Sequence, residues 1–270
     1  MEHGARPDPH QIGALLMPSY FFRNDIVTDI PGALVLDPAD VSPVFPYTSD
    51  PEENASGHWQ FGVDDSSLVG LTGGSATLEL TAGDYVWGGR SITVPDGDNY
   101  GVLLSADDSL VQTLCANVQV PADDKMRPVF TTRGSNNETV GMRVGFNGAD
   151  NDVEFYDSTS TSAALLTVPL PEGVTAGDWI CLILAEDGTN VRIKLGESAV
   201  QTAALDARVA ASRKVALGWP YINPLASTDL KRANTYDEAI TFSTALDSAA
   251  MDDLYARRVE DARLRGFILR

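Results

Sequence analysis

Soft metal ligands are scarce in this chain of 270 residues, which has three histidines (His3, His10, His58) and two cysteines (Cys115, Cys181). All three histidines precede the strand-rich part of the sequence, and no Cys-x-x-Cys pair occurs, so a zinc site of Cys/His type is excluded. The same placement leaves the body without the base of a Ser-His-Asp arrangement. Basic residues are few: 19 Lys and Arg stand against 38 Asp and Glu, a net charge of −19. That balance opposes phosphate backbones and anionic lipid, so neither nucleic acid nor a membrane is an expected partner. No run approaches the ~20 apolar residues of a spanning helix. A cleaved signal is not expected either. The apolar stretch 13–22 lacks a basic lead and is interrupted by Pro18. Synthesis in a host cytoplasm is the expectation.

Cys115 and Cys181 sit inside strand-like runs, LVQTLCANVQV and GDWICLILAED. They read as two buried free thiols. Pairing would need Cα atoms within roughly 7 Å, which spacing does not decide.

Proline is uneven. Eight of the fifteen prolines fall in the first 51 residues. Each removes a backbone donor and favours extended geometry before it. Residues 1–60 therefore read as an extended arm. Its apolar hooks, Tyr20, Phe21, Phe22, Phe45 and Tyr47, need a surface to bury them. The tail from 258 to 270 is basic, then apolar at Phe267, Ile268 and Leu269. It docks either on the chain's own body or on a neighbouring subunit.

From about residue 60 the chain is short strands and turns. Ala76, Leu78 and Leu80 alternate with polar residues, as do Val140, Met142, Val144 and Phe146, and Val191, Ile193 and Leu195. Further strands are expected at 90–94, 99–106, 110–120, 129–133, 152–157, 163–168, 179–185 and 213–219. DGDN, NGADND, PEG and EDGTN mark turns between them. Tyr236, Glu238, Ile240 and Phe242 alternate as a closing strand. Asp247 or Ser248 can then cap a helix burying Met251, Leu254 and Tyr255, with Gly266 a plausible stop. The fold class is all-β: a two-sheet antiparallel β-sandwich with an extended arm and a short C-terminal helix.

The ordered set of motifs resembles laminin-G-like domains, members of the concanavalin A-like lectin and glucanase jelly rolls. Asp237-Glu238, Ala245-Leu246 and Leu254-Tyr255 match the closing signature. VFTTRG (129–134), the Gly141–Gly145 spacing, Gly177-Asp178-Trp179, Asp187-Gly188 and Leu217-Gly218 match earlier positions in order. The resemblance covers about residues 61–257. It implies a jelly roll with Trp179 buried, and it carries no single function, because such folds bind, scaffold and hydrolyse.

Hydrolysis is not expected. Glucanases of this kind need three acids at a Glu-x-Asp-x-x-Glu spacing; the nearest stretches, around Glu79 and Glu154, lack it. No catalytic residue is assigned. Exposed aromatic candidates for a sugar are Trp87, Tyr100, Trp219 and Tyr221. No cofactor is required, but the resemblance raises calcium. Loop acids cluster as Asp96/Asp98, Asp107/Asp108 and Asp150/Asp152, with Asp96, Asp98 and Asp107 the first candidates. Arm plus lectin-like module suggests a non-enzymatic structural or adhesive component of a bacteriophage virion. Its partners would be other virion proteins or its own copies, and a host glycan. The alternative is a bacterial carbohydrate-binding or adhesion module.

Overall fold

The computed structural model describes residues 51–79, 84–97, 99–134, 138–158, 163–205, 207–221 and 233–270. All belong to the unit Phe45–Arg270. Asp98 and the arm hooks Tyr20, Phe21, Phe22 and Phe45 lie outside the described residues. In chain order the strands are β1 (Gly57–Gln60), β2 (Thr77–Leu78), β3 (Val86–Trp87), β4 (Ile92–Val94), β5 (Gly101–Asp107), β6 (Val111–Gln119), β7 (Met126–Thr131) and β8 (Arg143–Asn147). They continue as β9 (Asp152–Tyr156), β10 (Leu166–Pro169), β11 (Trp179–Asp187), β12 (Asn190–Leu195), β13 (Gln201–Ala204), β14 (Lys214–Gly218) and β15 (Asn234–Phe242). The one α-helix among the described residues, α1, spans Ser248–Leu264.

Two antiparallel sheets result. The first runs β13-β12-β11-β6-β15-β4-β3, with β1 also on β15; the second runs β10-β9-β8-β7-β14-β5-β2. Their facing sides enclose Trp59, Leu114, Ala116, Val118, Phe130, Phe146, Ile180, Leu182 and Tyr236. A half-wet antiparallel sheet would alternate apolar and polar. β11 instead reads WICLILAED and is buried almost throughout. The cause is α1, which lies on the outer face of the first sheet. Cys115, Cys181, Ile183, Ala185, Ile240 and Phe242 meet Met251, Leu254 and Ala262 there. Met251, Leu254, Arg258 and Ala262 recur at helical spacing and form the buried stripe.

Both helix ends follow local chemistry. Asp247 caps the start, its carboxylate accepting from the Ala250 amide at 2.9 Å. At the other end Phe267 N donates to Ala262 O and Gly266 N to Arg263 O. This is a Schellman stop, and Gly266 supplies its φ of +82°. The tail then turns back on the body. Phe267 packs against Trp179 at 5.8 Å, and Arg270 N donates to Trp179 O at 2.8 Å. Trp179, expected to be buried, is half-buried.

Two sequence expectations need correction. Residues 57–60 are not arm: they pair with β15, His58 opposite Ile240 and Trp59 opposite Ala239. And β15 does not keep one phase. An extra residue, Asp237, sits between Tyr236 (opposite Val118) and Glu238 (opposite Asn117). This β-bulge leaves Tyr236 and Ala239 in the inter-sheet core, while Ile240 and Phe242 face α1.

Candidate functional site

The bulge turns two consecutive carboxylates toward α1, and the helix and its C-cap answer with two buried arginines, Arg258 and Arg265. Arg265 binds Asp237 twice, Nη1 to Oδ1 at 2.9 Å and Nη2 to Oδ2 at 2.6 Å. Arg258 Nη1 donates to Glu238 Oε1 at 3.0 Å and Nη2 to Glu52 Oε2 at 2.7 Å. His58 Nε2 lies 2.8 Å from the same Glu238 oxygen, and its Nδ1 accepts from the Glu52 amide at 3.0 Å. Burial raises Asp237 against the opposing charge of Arg265. Burial also pushes Glu238 up, but the His58 hydrogen bond and the arginine charges win and lower it. Sequence reasoning placed His58 in the arm. It is wholly buried, and both ring nitrogens are occupied by the network. This cluster fastens a helix to a sheet.

A second buried set ties β6 and β11 to the segment ahead of β14. Arg208 Nε meets Glu186 Oε1 at 2.5 Å, and its Nη2 pairs with Asp108. Gln112 donates to Glu186 Oε2 at 2.7 Å. Burial pushes Glu186 up to about 7, with Arg208 opposing.

The four aromatic candidates separate into two pairs. Trp219 is only 4% exposed. Its Nε1 donates to Arg133 O at 2.6 Å, and the Arg143 guanidinium lies 5.2 Å from the ring. It is a core residue with no free face. Tyr221 is half-buried, donating to Lys214 O at 2.7 Å beneath Arg213. Trp87 and Tyr100 are half-buried at the rim and pack on the core through part of their surface. Tyr100 OH donates to exposed Asp84 Oδ2 at 2.6 Å, and its ring meets Tyr85 edge-on at 5.8 Å. Tyr85 is fixed in turn, donating to Glu79 O at 2.6 Å and Gly101 O at 2.9 Å. A half-open ring beside a carboxylate, on a fixed support, suits a ligand with an apolar face and hydroxyl donors.

Of the calcium candidates, Asp96 and Asp107 hold separate partners. Asp96 accepts from the Ala233 amide. Asp107 pairs with Lys214 at 2.8 Å. Asp107 ends β5, whose seven residues extend about 20 Å, whereas Asp96 follows β4 ahead of that strand. Of the tail candidates, Phe267 is covered by Trp179, Arg90 and Arg265, so it contacts this chain's own body. Ile268 is 70% exposed.

No protein-family model matches the sequence, and no curated protein matches it. Solved structures do. The chain is similar to the receptor-binding domain of botulinum neurotoxin type G, with a TM-score of 0.56 at 12% identity, over 76% of this chain and 52% of that one. It is similar to the binding domain of serotype D, at 0.54 and 11%, over 76% and 51%. A mutant Trypanosoma rangeli sialidase displaying trans-sialidase activity gives 0.54 and 9%, over 81% and 35%. The chain thus spans about half the length of the toxin domains. At such identities the likeness carries architecture alone, and the architecture is a two-sheet antiparallel β-sandwich.

Proposed function

We propose that this chain is a non-catalytic recognition module that holds a carbohydrate at the rim formed by Trp87, Tyr100 and Asp84. The Tyr100–Asp84 pair, 2.6 Å apart on the exposed rim, carries the reading. It offers a ring face and a carboxylate acceptor together, as sugar C–H faces and hydroxyls require. The toxin neighbours are named as receptor-binding domains, which favours recognition over turnover. So does the placement of the strongly shifted carboxyls Asp237, Glu238 and Glu186, which are committed to internal arginines.

The finer proposal follows from the sequence. A Pro-rich segment with aromatic hooks precedes a laminin-G-like sandwich, a pattern suited to anchoring the module on a bacteriophage capsid or tail. A bacterial carbohydrate-binding or adhesion module is the alternative. Capsid, portal and tail genes beside this one would favour the first; polysaccharide-degradation genes would favour the second.

The binding test uses the full chain on a panel of immobilised bacterial glycans and polysaccharides. Trp87→Ala and Tyr100→Ala should each weaken retention at least tenfold in protein that remains folded by circular dichroism. Retention by both variants at the wild-type level moves the site elsewhere. Hydrolysis of any panel member, lost on one Glu or Asp replacement, ends the non-catalytic reading.

A further inference from the structure

The rim that carries Tyr100 has a charge as well as a shape. Three aromatic rings meet the inter-sheet core at this edge: Tyr85 is buried in it, while Trp87 and Tyr100 pack on it and stay half-buried. The Tyr100 ring is held in place. Tyr85 meets it edge-on at 5.8 Å. Gly97, at a φ of +132°, lies so close that a Cβ there would come within 2.9 Å of the ring. Trp87 ends β3 and is followed by Gly88 and Gly89, both exposed. Neither brings a side chain to screen the indole, and a Cβ on Gly89 would meet nothing within 4 Å.

The charges that reach these rings are negative. Asp84 is exposed, and its Oδ2 accepts from Tyr100 OH at 2.6 Å. No Lys or Arg pairs with Asp84 among the described residues. Arg90, the nearest cation in sequence, is committed elsewhere. Its Nη1 donates to Arg265 O at 3.0 Å, and its guanidinium lies 4.6 Å from the Phe267 ring. The hydrogen bond to Asp84, then burial, then the Asp84 charge raise the Tyr100 phenol. Burial raises Tyr85 to about 12; the Gly101 contact opposes, and the charges of Glu79 and Asp84 add to the rise. Both phenols therefore stay neutral, with electron-rich faces.

We propose that the rim selects amino sugars carrying a free ammonium over their N-acetylated and acidic counterparts, with Asp84 as the acceptor of the ammonium. The inference rests on the sugar-binding reading of this rim and goes beyond it in naming the charge of the ligand. A carboxylate attracts an ammonium directly, and aromatic faces attract it through their quadrupole, indole most strongly. Tyr100 OH fixes Asp84 through Oδ2, and Oδ1 is left to take an ammonium proton. A carboxylated sugar meets the reverse. Asp84 and the ring faces repel it, and the net charge of −19 opposes its approach. At an open, hydrated rim the charge supports a preference of about fivefold.

The test is calorimetric titration of the full chain at physiological ionic strength with three oligosaccharides of one length: a glucosamine oligomer, its N-acetylated form and a uronic acid oligomer. At about pH 6 an amine of the α-amino kind is charged, and at about pH 9 it is neutral. At the lower pH the glucosamine oligomer should bind about fivefold more tightly than the N-acetylated one, and the uronic acid oligomer most weakly. At the higher pH the preference should vanish. Asp84→Asn, a change at an exposed position, should bring the first two ligands to equal affinity. Asp253→Asn, exposed on α1, should keep their ratio. N-acetylated binding as tight as that of the amine, still dependent on Trp87, overturns the charge preference and leaves the sugar rim standing. Failure of all three to bind also overturns the preference, and the rim itself falls only if the wider glycan panel fails with them. A preference that survives in Asp84→Asn, or that is lost equally in Asp253→Asn, belongs to the diffuse charge of the chain and overturns the assignment.

Discussion

Glu52 and Arg258 lie 206 residues apart in sequence and 2.7 Å apart in space. Arg257 reaches the other Glu52 oxygen at 2.6 Å. A carboxylate ahead of the first strand therefore holds the final helix in place. The boundary between arm and body falls before residue 52, not at 60.

Truncation distinguishes the two boundaries. Deleting residues 1–50 should leave a folded sandwich with near-native melting and, under the proposed anchoring role, should abolish assembly. Deleting residues 1–55 should lower the midpoint clearly, because Arg258 loses one of its buried acceptors. Equal midpoints for both deletions would mean that Glu52 contributes nothing. Normal assembly of the shorter deletion would move the anchor to Ile268 and its neighbours.

The ion pairs beneath α1 should behave as a coupled unit. Arg258→Ala leaves Glu238 and Glu52 buried beside fewer cations and should cost about 3–5 kcal/mol in urea unfolding. Adding Glu238→Gln to Arg258→Ala should cost less than the two single changes summed, since the orphaned charge disappears with its partner. Strict additivity would show that the two side chains act separately.

Stability should peak on the acid side of neutral. Burial raises Glu186 to about 7 and raises Asp237 in the same direction. Between the ordinary carboxylate range and pH 7 the folded chain then binds more protons than the unfolded one, and stability falls as pH rises. Glu238 is lowered, so its contribution is present above the ordinary range and lost as pH falls through its folded value. The midpoint should climb from pH 7.5 to about 5 and drop below about 4. Glu186→Gln should flatten the upper limb. A midpoint that declines steadily from pH 7.5 to 5 contradicts the assignment.

Cys115 and Cys181 are free and buried under α1, their sulfurs 3.7 Å apart. The neighbouring thiol and burial raise Cys115 well above its ordinary range. Such thiols are inert. A thiol reagent should label neither in the native protein and both in denaturant. Rapid native labelling would show that the helix lifts readily.

Much of this architecture was legible from alternation and turn chemistry. Every strand expected between 76 and 242 has a counterpart, and the cap at Asp247 and the stop at Gly266 stand where the residues suggested. Three strands were not legible. β3 is two residues long, β13 reads QTAA at an exposed edge, and β1 owes its form to pairing with β15. The site was less legible than the fold, because side-chain meetings across long separations leave no periodic trace. Trp219 looked like a sugar platform, yet Arg133 and Arg143 enclose it. His58 looked peripheral, yet it completes a pair with Glu238, 180 residues away. Only the adjacent acids Asp237 and Glu238 carried a clue: on successive residues of a strand they cannot both face water.

The centre of each sheet is made late. β15 joins β6 to β4 and β1, and β14 joins β7 to β5. A chain emerging from the ribosome thus presents β6 and β7 with open edges until residues past 214 and 234 arrive. Closure waits on the last fifth of synthesis, and the price of that order is a long interval of exposed strand edge. The net charge of −19 acts throughout that interval, keeping unfinished chains apart before either sheet can shut.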